Sequence, residues 1–146
     1  MRFFRVNVSQ SLANVLRIQK FTAPTWGHNG YAKMQYIKKG DWILLGDGMR
    51  LLAAIVEATC DSYIGYVEVL DKIKLVDEGL RTVDFKVIKE IPSGLQFIEL
   101  QKIVPHIEKN PLLSMNFCVE IHPKKPDKSN HQPFKDAVDS IINGET

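Results

Sequence analysis

Trp42-Ile43-Leu44-Leu45-Gly46-Asp47-Gly48-Met49-Arg50-Leu51-Leu52-Ala53-Ala54-Ile55-Val56-Glu57-Ala58-Thr59 is the stretch that decides the fold. Two apolar runs flank Gly46-Asp47-Gly48, a set of turn residues that tolerates the backbone of a tight hairpin. Trp42 to Leu45 and Leu51 to Thr59 therefore read as paired strands. Leu51 to Val56 hardly alternates between apolar and polar residues. A strand shows that pattern when both of its faces are covered, as at the centre of a closed or strongly curled sheet.

Working towards the N-terminus, Phe3 to Val8 sets Phe4, Val6 and Val8 against Phe3, Arg5 and Asn7, a strand with one mainly apolar face. Ser9 or Ser11 suits the cap of a short helix in which Leu12, Val15 and Leu16 share a side. Pro24 ends any helix by disfavouring the helical region for Ala23. Asn29 can cap a second helix, with Gly30, Met34 and Ile37 on one side, Lys38 and Lys39 at its negative end and Gly40 at the left-handed position beyond. Towards the C-terminus, strands are expected at Gly65 to Leu70 and at Thr82 to Ile88, the latter half-buried through Val83, Phe85 and Val87. Pro92-Ser93-Gly94 is expected to break that strand and Leu95 to Leu100 to resume it. Gln101 to Glu108 reads as a short helical turn and Leu113 to Ile121 as the last strand. Gln132 to Ile142 reads as the last helix, with Phe134, Ala137, Val138 and Ile141 at helical spacing. The expected fold is α+β: a small curled or closed, mostly antiparallel β-barrel with flanking short helices.

The chain of 146 residues, 45% hydrophobic and 25% charged, has the size and balance of one globular domain spanning residues 1–146. A net charge of +2 permits contact with an anionic polymer but is too small for binding by charge alone. Cys60 and Cys118 form no CxxC pair, so a reduced intracellular pair is expected and no zinc site. No signal-peptide core and no transmembrane run is present, so a cytoplasmic protein without membrane partners is expected. The sequence contains no GxxxxGK[ST], HExxH, GxSxG or PCxxC pattern, and no cofactor or metal is expected.

Chemistry concentrates between Thr25 and Trp42. Trp26, Tyr31, Tyr36 and Trp42 can build an aromatic cage, and each stacked base is worth about 1–3 kcal/mol. His28, Asn29 and Asp47 can supply the polar edge that tells one base from another. Trp42 opens a strand and fits a core position equally well. Tyr36, late in the expected helix, is read as core, and Asn29 also serves as a cap. Lys124, Lys125, Lys128 and His131 form a basic loop able to follow phosphates, with Lys33, Lys38 and Lys39 adding charge nearer the pocket. A different chemistry is offered by Asp84-Phe85-Lys86, with Asp71 or Asp77 upstream. Two carboxylates around a divalent ion and a lysine beside the attacking water form the arrangement of many nucleases. An exposed strand face alternating Thr82, Asp84 and Lys86 accounts for it as well.

In order along the chain, Trp26, Asn29, Tyr31, Ala32, Met34 or Ile37, Lys38-Lys39, Gly40-Asp41 and Ile43-Leu44-Leu45 resemble the pattern of the EVE family. This family belongs to the PUA-like superfamily, which also holds the YTH readers of methylated RNA. Ala53 to Ala58 falls where that family places its next apolar strand. Departures lie on the pocket rim: His28 stands where the family has arginine, and Gly46-Asp47-Gly48 replaces an aromatic-plus-serine strand end. The resemblance implies a non-catalytic reader that flips a modified base, most often in methylated DNA, into an aromatic pocket. It implies Trp26 as the stacking wall and Asn29 as the pocket-forming residue, with Tyr31 and Asp47 beside them. It further implies the N-terminal targeting role that such domains play in McrB-like restriction subunits, next to a fused or associated GTPase or nuclease.

Overall fold

A computed structural model describes residues 2–8, 12–22, 34–46, 52–65, 80–95, 118–122 and 131–143. Among the described residues seven strands form one sheet: β1 (Phe3–Asn7), β2 (Lys20–Thr22), β3 (Trp42–Gly46), β4 (Leu52–Ala58), β5 (Tyr63–Gly65), β6 (Leu80–Leu95) and β7 (Cys118–Ile121). Their order is β2-β6-β4-β3-β1-β7, with β5 also on β6. β1 and β3 run parallel and the other five pairings are antiparallel. Among the described residues two helices, α1 (Leu12–Ile18) and α2 (Gln132–Ile142), accompany the sheet. The architecture is a curled, mixed half-barrel of the α+β class, as expected from the hairpin and the apolar runs.

A helix lies on each face of the sheet. Leu12 and Val15 of α1, together with Met34 and Ile37, pack on Phe4, Val6, Ile43, Leu45 and Val56. Phe134, Ala137 and Val138 of α2 pack on Phe3, Leu44, Ile55 and Ile121. This second layer changes the reading of β1, which is buried on both faces rather than one. Phe3 and even Arg5 are fully buried, and only Asn7 at the strand end is half-exposed. β4 lies between β3 and β6 with Leu52 to Val56 all buried, which explains its missing alternation.

β6 turns the sheet. Its first residues pair with β2 on one side and β5 on the other, while later residues pair with β4. Between Leu52↔Leu95 and Ala54↔Glu90, two steps on β4 are matched by five on β6. Pro92-Ser93-Gly94 falls in that irregularity. The expected break is therefore a bulge: a proline without an N–H is tolerated where the ladder has already opened, and the strand continues to Leu95. The short strand β2 was not expected. It follows Gln19, whose φ of 60° turns the chain out of α1 straight onto β6.

The helix expected up to Lys39 ends sooner. Met34 is helical, and Ile37 N–H then donates to Met34 O across a turn. Lys38 to Asp41 forms a second turn, closed by Asp41 N–H to Lys38 O at 3.0 Å, with Gly40 third at φ 91°. Only glycine adopts that third position of a type II turn without strain. Tyr36 consequently projects outward, 47% exposed, and is not core. Asp41, 4% exposed, holds the segment by accepting the N–H groups of Arg2 and Lys38, each at 2.9 Å. Among strands and helices expected elsewhere, residues 66–70, 96–100, 101–108 and 113–117 lie outside the described residues. Cys60 is a half-buried thiol and Cys118 a buried one. Among the described residues no helix is long and apolar enough to cross a membrane.

Candidate nucleic-acid interface

The hairpin register places Trp42 opposite Glu57, and the ladders on either side extend this pairing into a row. Phe3, Trp42, Glu57 and Lys86 are cross-strand neighbours on β1, β3, β4 and β6. Phe3 meets Trp42 edge-on at 6.0 Å between ring centroids. Trp42 Nε1–H donates to Glu57 Oε1 at 3.0 Å, and Lys86 Nζ lies 3.2 Å from Glu57 Oε2. The Trp42 hydrogen bond is the largest influence on the Glu57 carboxyl; burial opposes it, and the hydrogen bond and charge of Lys86 add to it, so the group is held below the usual carboxylate range.

Helix α2 covers the aromatic end of this row. Phe134 packs edge-on to Phe3 at 4.8 Å, and the His131 ring lies 5.9 Å from Phe3. Lys135 Nζ sits 5.1 Å above the Trp42 ring while pairing with Asp139 at 2.9 Å. Trp42 is thus half-buried, with its N–H committed to Glu57 and a ring face to Lys135. Sequence reasoning named Trp42 but not Glu57 or Lys135. Counting outward from Gly46-Asp47-Gly48 would set Trp42 against Leu52, whereas the observed register is centred between positions 49 and 50, so neither Glu57 nor Lys135 could be placed beside Trp42 from the sequence.

Asp84 and Lys86 share β6 but serve different partners. Tyr63 donates its hydroxyl to Asp84 Oδ1 at 2.8 Å, and Lys20 Nζ is 3.6 Å from the same oxygen. Burial first, then the Asp84 hydrogen bond and charge, push the Tyr63 phenol up to about 12. Lys86 turns instead to Glu57. Among the described residues, no three His, Cys, Asp or Glu side chains gather into a metal-binding group. Asp71 and Asp77 lie outside the described residues, as do Trp26, His28, Asn29, Tyr31, Asp47, Lys33, Lys124, Lys125 and Lys128. Lys38 and Lys39 are exposed on the turn ahead of β3, where Lys39 N–H donates to Asp61.

No family model matches this sequence, and no curated protein matches it. The fold has solved counterparts. A structure of the Mmi1 YTH domain aligns with TM-score 0.59 over 99% of this chain and 76% of that one, at 13% identity. A crystal structure of the Mmi1 YTH domain in complex with RNA aligns with TM-score 0.58 over 98% of this chain and 81% of that one, at 12% identity. A further crystal structure of that domain aligns with TM-score 0.55 over 98% and 99% of the two chains, at 12% identity. At these identities the likeness is one of fold.

Proposed function

We propose that residues 1–146 form a single, non-catalytic reader domain of the EVE type that binds modified nucleic acid. In this reading a methylated base leaves its stack and enters an aromatic pocket. Trp26 is the stacking wall, and Asn29, His28, Tyr31 and Asp47 supply the rim and the polar edge. Trp42, held by Glu57 and Lys135, is a further aromatic of the pocket. Lys33, Lys124, Lys125 and Lys128 follow the phosphates. Flipping costs a few kcal/mol, which one or two stacking contacts at about 1–3 kcal/mol each offset. The observation that carries the proposal is the likeness of this curled sheet to YTH domains over nearly the whole chain, one of them solved with RNA.

Methylated double-stranded DNA is the ligand that the Trp26-to-Leu45 pattern favours. In that case the domain is the cytoplasmic targeting module of a modification-dependent restriction system, working with a fused or associated GTPase or nuclease. The RNA complex of a structural counterpart supports RNA as the second reading. A nuclease built on Asp84 and Lys86 has less support, because their side chains engage Tyr63, Lys20 and Glu57 instead of converging.

A binding screen across methylated and unmethylated DNA and RNA oligonucleotides at fixed salt tests the proposal, since salt sets the phosphate contribution. Selective binding of one methylated oligonucleotide is expected, with the selectivity lost in Trp26→Ala and its thermal melt unchanged. Equal affinity for methylated and unmethylated partners would rule the reader out.

A further inference from the structure

Two large apolar side chains are exposed among the described residues, Tyr36 at 47% and Ile64 at 46%. The sheet register brings them to the same side. Ile64 on β5 pairs with Arg81 on β6, and Arg81 alternates with Val83 and Phe85. Ile64 therefore lies on the face of the sheet that Met34 and Ile37 cover. Tyr36 belongs to that covering segment, and Ser62 N–H donates to Ile37 O at 3.0 Å, tying the approach to β5 to the residue after Tyr36. Positive charge surrounds the pair. Lys38 and Lys39 are exposed on the turn that follows Tyr36, and Arg81 donates to Ser62 O at 3.4 Å. Among the described residues of this patch one carboxylate, Asp61, opposes the three cations. It accepts Lys39 N–H at 2.9 Å and lies 4.0 Å from Lys38 Nζ, and an exposed pair at that separation contributes little. The backbone beneath is pinned, with Gly40 N–H donating to Ala58 O and Lys38 N–H to Asp41, each at 2.9 Å. A single exposed apolar residue needs no explanation. Here two share one side of the sheet with an excess of cations, and lysine is depleted from protein-docking patches but required by a nucleic-acid platform.

We propose that this patch is a stacking platform for a single-stranded nucleotide beside the base that the reader captures. That nucleotide lays its base on the Tyr36 ring next to Ile64, and its phosphates run past Lys38 and Lys39. Tyr36 follows Tyr31 by five residues, so their Cα atoms are at most about 18 Å apart, which keeps the platform within a few nucleotides of the proposed pocket. The contact supplies affinity and reads neither sequence nor modification. It rests on the chain binding nucleic acid, as proposed above.

Tyr36→Ala and Tyr36→Leu both remove the flat ring, and Tyr36→Leu keeps most of the apolar volume, so its thermal melt is expected to match wild type. The probe is the oligonucleotide selected in the binding screen, carrying single-stranded flanks, in methylated and unmethylated forms. Fluorescence anisotropy at fixed salt should show both variants binding roughly 5- to 100-fold more weakly, by the same factor with and without the methyl group. Tyr36→Phe should stay near wild type. On the same oligonucleotide trimmed of its flanks, the difference should disappear. Replacing Lys38 and Lys39 together by Gln should lower the slope of log affinity against log salt by about 1.4, from two single-strand phosphate contacts at about 0.7 each. Unchanged affinity in Tyr36→Leu, or a loss that persists on the trimmed oligonucleotide, overturns the platform and leaves the reader function standing. A methylated-to-unmethylated ratio that falls with the ring also overturns it, since Tyr36 then belongs to the pocket. Failure of the wild type to bind any oligonucleotide overturns both.

Discussion

Trp42→Phe isolates the hydrogen bond at the middle of the transverse row. Phenylalanine keeps an aromatic ring against Phe3 but removes the indole N–H that Glu57 accepts at 3.0 Å. Hydrogen bonds to charged groups contribute about 1.5–3 kcal/mol, and the lower end applies where water can replace the donor. The Glu57 side chain is 28% exposed, and Lys86 remains beside it at 3.2 Å, so the lower end is taken here. Weakening the Lys135 contact with the ring adds roughly 0.5 kcal/mol. A loss of about 2 kcal/mol near neutral pH results, which is roughly 4–8 °C in Tm for a domain of this size. The loss must depend on pH. Glu57 titrates below its ordinary 4.5 in the folded protein, chiefly because of Trp42. Its contribution is therefore present above 4.5 and disappears as pH falls through the lowered folded value. Denaturant melts of wild type, Trp42→Phe, Glu57→Gln and the double variant, at neutral pH and well below 4.5, measure both effects. A coupling near 1 kcal/mol that fades in acid is expected. Coupling near zero at neutral pH, or a Trp42→Phe loss equal at both pH values, refutes the reasoning.

Two further outcomes follow from buried and shifted groups. Asp41→Ala leaves the N–H groups of Arg2 and Lys38 without their acceptor in a site only 4% exposed, and should cost about 2–3 kcal/mol in a denaturant melt. Asp41→Asn keeps one amide oxygen and should lose less. Tyr63 should stay un-ionised until about pH 12, seen as a late step in the 295 nm titration that Tyr63→Phe removes. With the folded pKa raised above the ordinary 10, its stabilising preference holds below pH 10 and is lost between there and about 12.

Elements that bury one regular face, or two, could be read from the sequence. Phe134, Ala137 and Val138 announce α2 by spacing, and Leu51 to Val56 announces a central strand by lacking alternation. Features set by a distant partner could not. Arg5 reads as the polar side of β1 until α2 is known to lie over that face. Pro92 reads as a strand end until a register shift on β4 supplies the bulge that admits it. Tyr36 reads as core only if the helix runs past Met34, which local propensity favours and the Lys38–Asp41 turn prevents. At the candidate site, residue type pointed to Trp42 as an aromatic of interest. Its bracing by Glu57 and Lys135 depends on register and on a helix about ninety positions later, which no local pattern encodes.

The placement of β1 also bears on how the chain folds. β1 lies between β3, which begins at Trp42, and β7, which ends at Ile121, so its pairings join segments far apart in sequence. Loops of that length must close before either ladder gives any stabilisation, which slows folding relative to a domain built from local hairpins. Until then Phe3, Phe4 and Val6 remain an unpaired apolar strand. The β3–β4 hairpin can form early and alone, whereas β1 must wait for both its neighbours. During synthesis this apolar strand is exposed to aggregation until its neighbours arrive, and because Phe3, Phe4 and Val6 are fully buried in the folded sheet, substitutions that soften its apolar character should lower the melting temperature.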